Sequence, residues 1–314
     1  MIELPEATTI ARQINAELKG KRIAGGNRGN SPHKFAFYNH SPEEYAAILK
    51  DKTMGEATVN GPLILAAIEP EHTLILGGGG ERIVYQCSAA MLPKKYQFLL
   101  HFTDDTSLTV SVQGWGSAFV LRQSEVASHP FVNLRNPPPL SDGFTLDYFH
   151  SLFSALEADD SRSVKFFMIS KPGVLGVGNG CLQDILWRAK IHPRRRAVGV
   201  SAVEQQALHS AIRTTLQMMI EGGGRDGDYD LFDQPGGYRR IMYSKSAGLP
   251  CPECGTPIEK AAYLGGAIYF CQECQPAACA QWKILSIKYR KVCIPLIGEF
   301  DEYLRSHRGA PQHS

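Results

Sequence analysis

The sequence predicts an α+β protein: an N-terminal β-sandwich domain with an N-terminal helix, then a helical domain, then a zinc ribbon. Three observations carry this reading. Residues 20 to about 125 hold short β-rich runs separated by turn residues. Residues 142–221 change to helical spacing of apolar residues. Two Cys-x-x-Cys pairs follow, Cys251/Cys254 and Cys271/Cys274, separated by sixteen residues.

The first helix is placed over residues 1–18, with Pro5 at an early helical position and Ile10, Ile14 and Leu18 forming a buried stripe. The runs Leu63 to Ile68, Thr73 to Leu76, Gln97 to Phe102, Ser107 to Val112 and Ala118 to Leu121 read as antiparallel strands of a sandwich or barrel. Pro130, Pro137, Pro138 and Pro139 mark a linker. In Val174 to Pro193 a tight Gly-Val-Gly-Asn turn (Gly176 to Asn179) leads into an amphipathic run with Leu182, Ile185, Leu186 and Ala189 on its buried face. Asn179 stands where that helix begins, and a helix N-terminus with free amides beside close-approaching glycines is a natural phosphate site. Gly222 to Gly237 is rich in Gly and Asp and is expected to be a mobile loop. The resulting domain boundaries are 1–129 for the sandwich, 130–141 for the linker, 142–238 for the helical domain, 239–276 for the ribbon and 277–314 for a C-terminal extension.

In the cysteine segment each knuckle turns two thiolates toward one point, and four thiolates close a tetrahedral zinc site. With no open position the single zinc per chain is expected to be structural, held by Cys251, Cys254, Cys271 and Cys274. Cys87, Cys181, Cys279 and Cys293 lack such partners and are expected to be buried as small hydrophobes.

Composition bounds the class. At 43% apolar and 20% charged residues over 314 positions, the chain is globular and long enough for two cores. A net charge of +2 does not by itself point to nucleic acid, but Arg188 to Arg196, Arg239 to Lys245 and Lys283 to Lys291 are locally basic. Glu3, Glu6 and Arg12 stand where a signal peptide would be apolar, and no run reaches membrane-spanning length. A cytoplasmic monomer with no membrane association is expected, and its cysteines are expected to stay out of disulfides.

Glu3-Leu-Pro-Glu6 at a helix start, Gly176-Val-Gly-Asn179 before a helix, and Cys251-Pro-Glu-Cys-Gly-Thr-Pro-Ile-Glu259 in the ribbon occur here in one order. In that order the chain resembles the formamidopyrimidine-DNA glycosylase and endonuclease VIII family of base-excision repair enzymes, over most of its length to about residue 276. The resemblance implies a helix–two-turns–helix DNA-binding domain and, as partner, double-stranded DNA carrying a damaged base or an abasic site. Asn179 and Lys165 are then expected at phosphates, with Arg194 and Arg195 in a basic helix end. Glu3 is expected to act as acid or base on the opening deoxyribose, and Glu6 to contribute to the pocket.

Several family features are absent. Members usually begin Met-Pro-Glu, and after methionine removal the proline amine attacks the sugar C1′. Here position 2 is Ile, so Met1 is expected to stay, with its primary amine one residue farther from Glu3. Such a displacement is costly, because a misplacement of about 1 Å can lose a hundredfold in rate. The family lysine aligns near Pro62, the methionine of the Leu-Gly-Met-Ser-Gly loop falls within Leu76 to Gly80, the arginine-phenylalanine wedge segment is Gln113 to Ser117, and the ribbon arginine falls within Gly265 to Ile268. Trp115 is the candidate replacement for the wedge, since an aromatic plane between bases offsets unstacking. The expected function is a DNA glycosylase that hydrolyses the N-glycosidic bond of a damaged base, monofunctional or with weak lyase activity. Its site would comprise Glu3, Glu6 and Met1. The alternative is a non-catalytic protein that binds lesions or DNA structures on the same scaffold.

Overall fold

The computed structural model describes residues 1–88, 91–134 and 136–277. The chain divides into two compact units, one formed by residues 1–141, 175–180 and 213–240, the other by 142–174, 181–212 and the described residues from 241 on. The segment 142–238, read from sequence as one helical domain, is thus shared between the units. Sequence periodicity locates helices but not the partner each one packs on.

The first unit opens with α1 (Leu4–Glu17), followed by β1 (Ile23–Arg28), β2 (Ala36–Phe37), α2 (Pro42–Leu49) and β3 (Thr53–Asn60). Then come β4 (Leu63–Glu69), β5 (His72–Gly77), β6 (Glu81–Gln86), β7 (Phe98–Phe102), β8 (Ser107–Val112), β9 (Gly116–Ser117), β10 (Phe119–Arg122) and α3 (Gln123–Val126). Two four-stranded antiparallel sheets form, in the orders β1-β7-β8-β6 and β10-β5-β4-β3. The short β2 and β9 pair in parallel.

The alternating faces of these strands meet in one core. It includes Ile64, Ala66, Ile68, Leu74 and Leu76 from one sheet and Ile83, Phe98, Leu100, Leu108 and Val110 from the other, together with Ile10 and Ile14 of α1. Fully burying such a side chain contributes about 1.5–3 kcal/mol, which makes this face the main determinant of strand register. α2 lies inside the stretch read as all-β. Its first turn has Ser41 accepting from the Glu44 N–H (3.2 Å) and Glu44 reaching back to the Ser41 N–H (2.7 Å), a capping box that composition alone does not separate from a loop.

The Gly222–Gly237 segment is tied to the first unit by backbone hydrogen bonds and a buried leucine. Gly237 N–H donates to Gly222 O (2.8 Å) and Tyr238 N–H to Gly224 O (3.0 Å), while Leu231 is fully buried in the sandwich core. Cys87 is exposed rather than buried, since it follows the last paired residue of β6. Cys181 is buried, and Cys279 and Cys293 lie outside the described residues, as does the extension from residue 278.

In the second unit, α4 (Leu146–Ser154) and α5 (Val164–Ile169) are capped by Thr145 and Ser163. α6 (Asn179–Arg188) and α7 (Ala202–Glu221) contribute their portions from Cys181 and up to Ile212, and a hairpin of β11 (Glu259–Tyr263) and β12 (Gly266–Phe270) completes it. The predicted stripe of α6 is buried at Leu182, Ile185 and Leu186. Asp184, fully buried, accepts from the N–H groups of Ile241 (3.0 Å) and Met242 (2.7 Å), and Gln275 donates to Ile191 O (2.9 Å). Among the described residues no helix is long and apolar enough to cross a membrane.

Candidate functional site

The start of α1 is organised by one arginine. Arg225 is 1% exposed, and its guanidinium spends its donors on four residues. Nη1 donates to Glu3 Oε1 (2.9 Å), Nε to Glu6 Oε1 (2.9 Å), and Nη2 to Glu6 Oε2 (2.8 Å) and Met1 O (2.8 Å). Nη2 also lies 3.1 Å from Asp228 Oδ2. A guanidinium suits this position because its planar fork of five N–H donors can satisfy several carboxylates at once.

Glu3 receives two further donors, the backbone N–H groups of Gly178 and Gly180, each at 2.8 Å. The helix N-terminus that sequence marks as an anion site therefore holds an anion from its own chain. Glycine is required there: a Cβ on Gly178 would lie 2.7 Å from Glu3 Cδ, and one on Gly180 would overlap Nη1 of Arg225. Gly176, with φ +76°, brings the turn to within contact of Leu4 and Gly61, where a side chain would collide with both.

Beside this cluster a cleft of about 210 Å³ is lined by Met1, Ile2, Glu6, Gly80, Glu81, Arg82, Gln113, Gly227, Asp228 and Tyr229. The α-amine of Met1 sits on its wall, paired with Asp228 Oδ1 at 2.5 Å. Ile2 is buried at 4% exposure, and its backbone N–H donates to Gly79 O (2.8 Å). Glu81 begins β6 at the cleft and accepts from the N–H groups of Gly79 (2.9 Å) and Ser117 (3.0 Å). Burial pushes its carboxyl up to about 7, against the opposing pull of those amides and of the chain's amino terminus.

Glu3, expected to act on the sugar, is not among the residues lining the cleft. Both its oxygens accept hydrogen bonds, from the N–H groups of Gly178 and Gly180 and from Arg225.

In the ribbon, ligand atoms of Cys251, Cys254, Cys271 and Cys274 all lie within 4.8 Å of one another. The Sγ pairs Cys251/Cys274 and Cys254/Cys271 are 3.9 and 3.3 Å apart. Metal–sulfur bonds of about 2.3 Å at tetrahedral angles space their sulfurs by about 3.8 Å, so the four thiols fit a single ion.

Comparison with known proteins agrees with this architecture. The formamidopyrimidine-DNA glycosylase H2TH domain family matches residues 136–228. The formamidopyrimidine-DNA glycosylase of Legionella pneumophila is 30% identical over 283 residues, covering 88% of this chain and 99% of that protein. The chain belongs to the formamidopyrimidine-DNA glycosylase family. A second relative, from Symbiobacterium thermophilum, is 28% identical over 88% of this chain and 90% of its own length. Among solved structures, the Lactococcus lactis Fpg in complex with abasic-site DNA aligns with TM-score 0.76 at 22% identity, over 87% of this chain and 99% of that one. Fpg from Thermus thermophilus aligns with TM-score 0.74 at 24% identity, over 88% and 100%.

For a member of the formamidopyrimidine-DNA glycosylase family, several expected DNA contacts are already engaged within the protein. Lys165 is buried at 1% exposure, with Nζ donating to Tyr263 O (2.9 Å), which makes it a tie between α5 and the ribbon hairpin rather than an open phosphate ligand. Arg195 donates to Glu204 Oε2 (2.8 Å) and to Gly199 O (2.5 Å). Arg194 reaches Ala262 O (3.2 Å) and lies over the Tyr263 ring at 5.1 Å. The basic run is thus largely turned onto its own fold. Asn179 is half-buried at the first residue of α6. Trp115 is half-buried, and a Cβ on Gly78 would lie 3.8 Å from its Cη2, so its ring covers the glycine where the family loop carries methionine.

Arg225, Asp228 and Glu81 were not singled out by sequence reasoning. Arg225 and Asp228 sit in a glycine-rich run without periodicity, and Glu81 looks like an ordinary strand-edge acid. Their one sequence signal is charge beside glycines that let the backbone approach closely.

Proposed function

We propose that this family member is a DNA glycosylase of base-excision repair that releases a damaged base from duplex DNA by hydrolysis, without an efficient strand-nicking lyase step. The observation that carries the proposal is Ile2, which stands buried at 4% exposure where the family resemblance expects a proline. The family's nucleophile is a proline secondary amine, and an isoleucine supplies no secondary amine at this position. The nearest amine, that of Met1, is paired with Asp228. Carboxylates around a sugar can position water and stabilise an oxocarbenium-like centre, so base release does not require the amine. The four cysteines are proposed to hold one structural zinc, which would cross-link the two knuckles and hold the β11–β12 hairpin to them.

A second reading, a non-catalytic lesion binder, draws support from Glu3 and Glu6, whose oxygens are committed to Arg225 and to backbone amides. One experiment separates the readings. The intact protein, its N-terminus checked by mass, is incubated with duplexes bearing an abasic site, a formamidopyrimidine-guanine or an oxidised pyrimidine. Borohydride trapping is measured alongside base release. Base release with nicks appearing after alkali, and little trapped complex, is the expected result. Strong trapping mapped to the N-terminus would falsify the hydrolytic proposal. Tight binding without release from any duplex would establish the binder.

A further inference from the structure

We propose that the cleft beside the N-terminus divides the proton transfers of base release between two carboxyl groups, Glu81 as the acid that protonates the departing base and Asp228 as the carboxylate that takes a proton from the attacking water. The inference rests on the glycosylase reading above and names the residues that carry it.

The assignment follows by comparing the carboxyl groups on the cleft wall. Glu6 is spent: Oε1 accepts from the N–H and Nε of Arg225, and Oε2 from the Glu3 N–H and Nη2 of Arg225. Glu81 and Asp228 remain, and their surroundings differ in kind. Asp228 has a cation at each oxygen, the Met1 amine at Oδ1 and Arg225 at Oδ2, so its negative charge is matched. Glu81 is 8% exposed, and the partners of its carboxyl are the amides of Gly79 and Ser117. The charged groups sharing the cleft with Glu81 are Met1, Glu6, Arg82 and Asp228. Arg82 is directed to Asp233 and the Tyr229 ring. Two carboxyl groups in one cleft, one buried among backbone amides and the other paired with cations, are an arrangement in which one can serve as acid and the other as base.

The step balances. The C1′–N bond breaks as the Glu81 proton moves to the base nitrogen, and the bonding electron pair leaves with the base. Water adds to C1′, and its proton passes to Asp228. Glu81 recovers a proton from solvent while Asp228 returns one, leaving free base and an intact abasic sugar. The raised Glu81 value of about 7 supports this, because a carboxyl of ordinary acidity would hold little proton to give near neutrality.

The test is single-turnover base release by the full chain, from pH 5 to 9, on duplexes carrying one formamidopyrimidine-guanine or one oxidised pyrimidine. Parent, Glu81→Gln and Asp228→Asn are compared, with binding to a tetrahydrofuran duplex and thermal unfolding as controls for folding. The parental rate is expected to fall as pH rises through about 7. Glu81→Gln is expected to lose about 10²–10⁴-fold in rate and that descending limb with it. Asp228→Asn should lose a comparable factor but keep the limb. Both should bind the tetrahydrofuran duplex within a few-fold of the parent. A role of Glu81 confined to holding the Gly79 turn would lower the rate but leave the limb in place, and that outcome overturns the proposal, as does a parental rate in Asp228→Asn. If the parent releases neither base, the glycosylase reading itself fails and this assignment goes with it.

Discussion

Glu3 and Arg225 are 222 residues apart in sequence and meet in a 2.9 Å ion pair with both side chains almost wholly buried. Around that contact hydrogen bonds join the chain's amino end, Gly178, Gly180 and Arg225 of the Gly222–Gly237 segment. The pair's net stability contribution is small, because two charges lose their hydration to form it. Losing one partner is a different matter.

Arg225→Ala leaves Glu3, Glu6 and Asp228 without their shared guanidinium. The expected cost is on the order of 3–5 kcal/mol in urea unfolding. Arg225→Lys, which retains charge but not the planar fork, should recover only part of it. An Arg225→Ala protein as stable as the parent would show that the cluster does not frame the site.

Gly180→Ala places a methyl group where Nη1 of Arg225 lies. Overpacking of this kind costs typically about 1–3 kcal/mol. Thermal unfolding should show a clear loss, and combining Gly180→Ala with Arg225→Ala should cost less than the sum, since the second change removes the clash.

The ribbon should carry one metal per chain, read by mass spectrometry under native conditions and by metal analysis. Cys254→Ser is expected to lower metal occupancy and make residues 251–274 sensitive to protease, because metal binding and local folding are coupled in such sites. Full occupancy in a Cys254→Ser, Cys271→Ser double variant would exclude the four-thiolate site.

His192 gives a pH dependence of known sign. It is 4% exposed, packs edge-on against Phe270 with ring centroids 4.4 Å apart, and accepts at Nδ1 from the Arg194 N–H. Burial, with Arg194 adding to it, pushes the imidazole down to about 4. Between about pH 6.5 and 4 the unfolded chain takes up a proton that the folded one refuses, so stability falls as pH falls through that window. The loss should reach about 2–3 kcal/mol at the acid end. His192→Asn should flatten this slope in unfolding measured at pH 7.5 and 5.

Asn179→Asp is expected to weaken binding to a tetrahydrofuran duplex at every flanking sequence tested. The new charge would face phosphate and also stand one residue from the amides that hold Glu3. Binding equal to the parent's, with folding unchanged, would remove Asn179 from the DNA interface.

Sequence by itself determined the parts whose signal is local. α1 shows in Pro5, Ile10 and Ile14, α6 in the Leu182–Ala189 stripe, and the ribbon in its two cysteine pairs, because helical period and knuckle spacing are written within a few residues of one another. The family, too, was legible in Glu3 to Glu6 and Gly176 to Asn179. What only the tertiary structure decided is where charge goes. Lys165 and Arg195 look like surface cations in sequence, and the fold gives them a carbonyl and a carboxylate as partners. Glu3 reads as a reactive acid, and the fold makes it the anion at the start of α6. Asp228 and Glu81 are unremarkable letters until segments more than 140 residues apart bring them to one cleft, and Arg225 until it meets Glu3 and Glu6. The physical reason is that apolar periodicity depends on local geometry, whereas the partner of a buried charge is set by whichever distant segment must neutralise it.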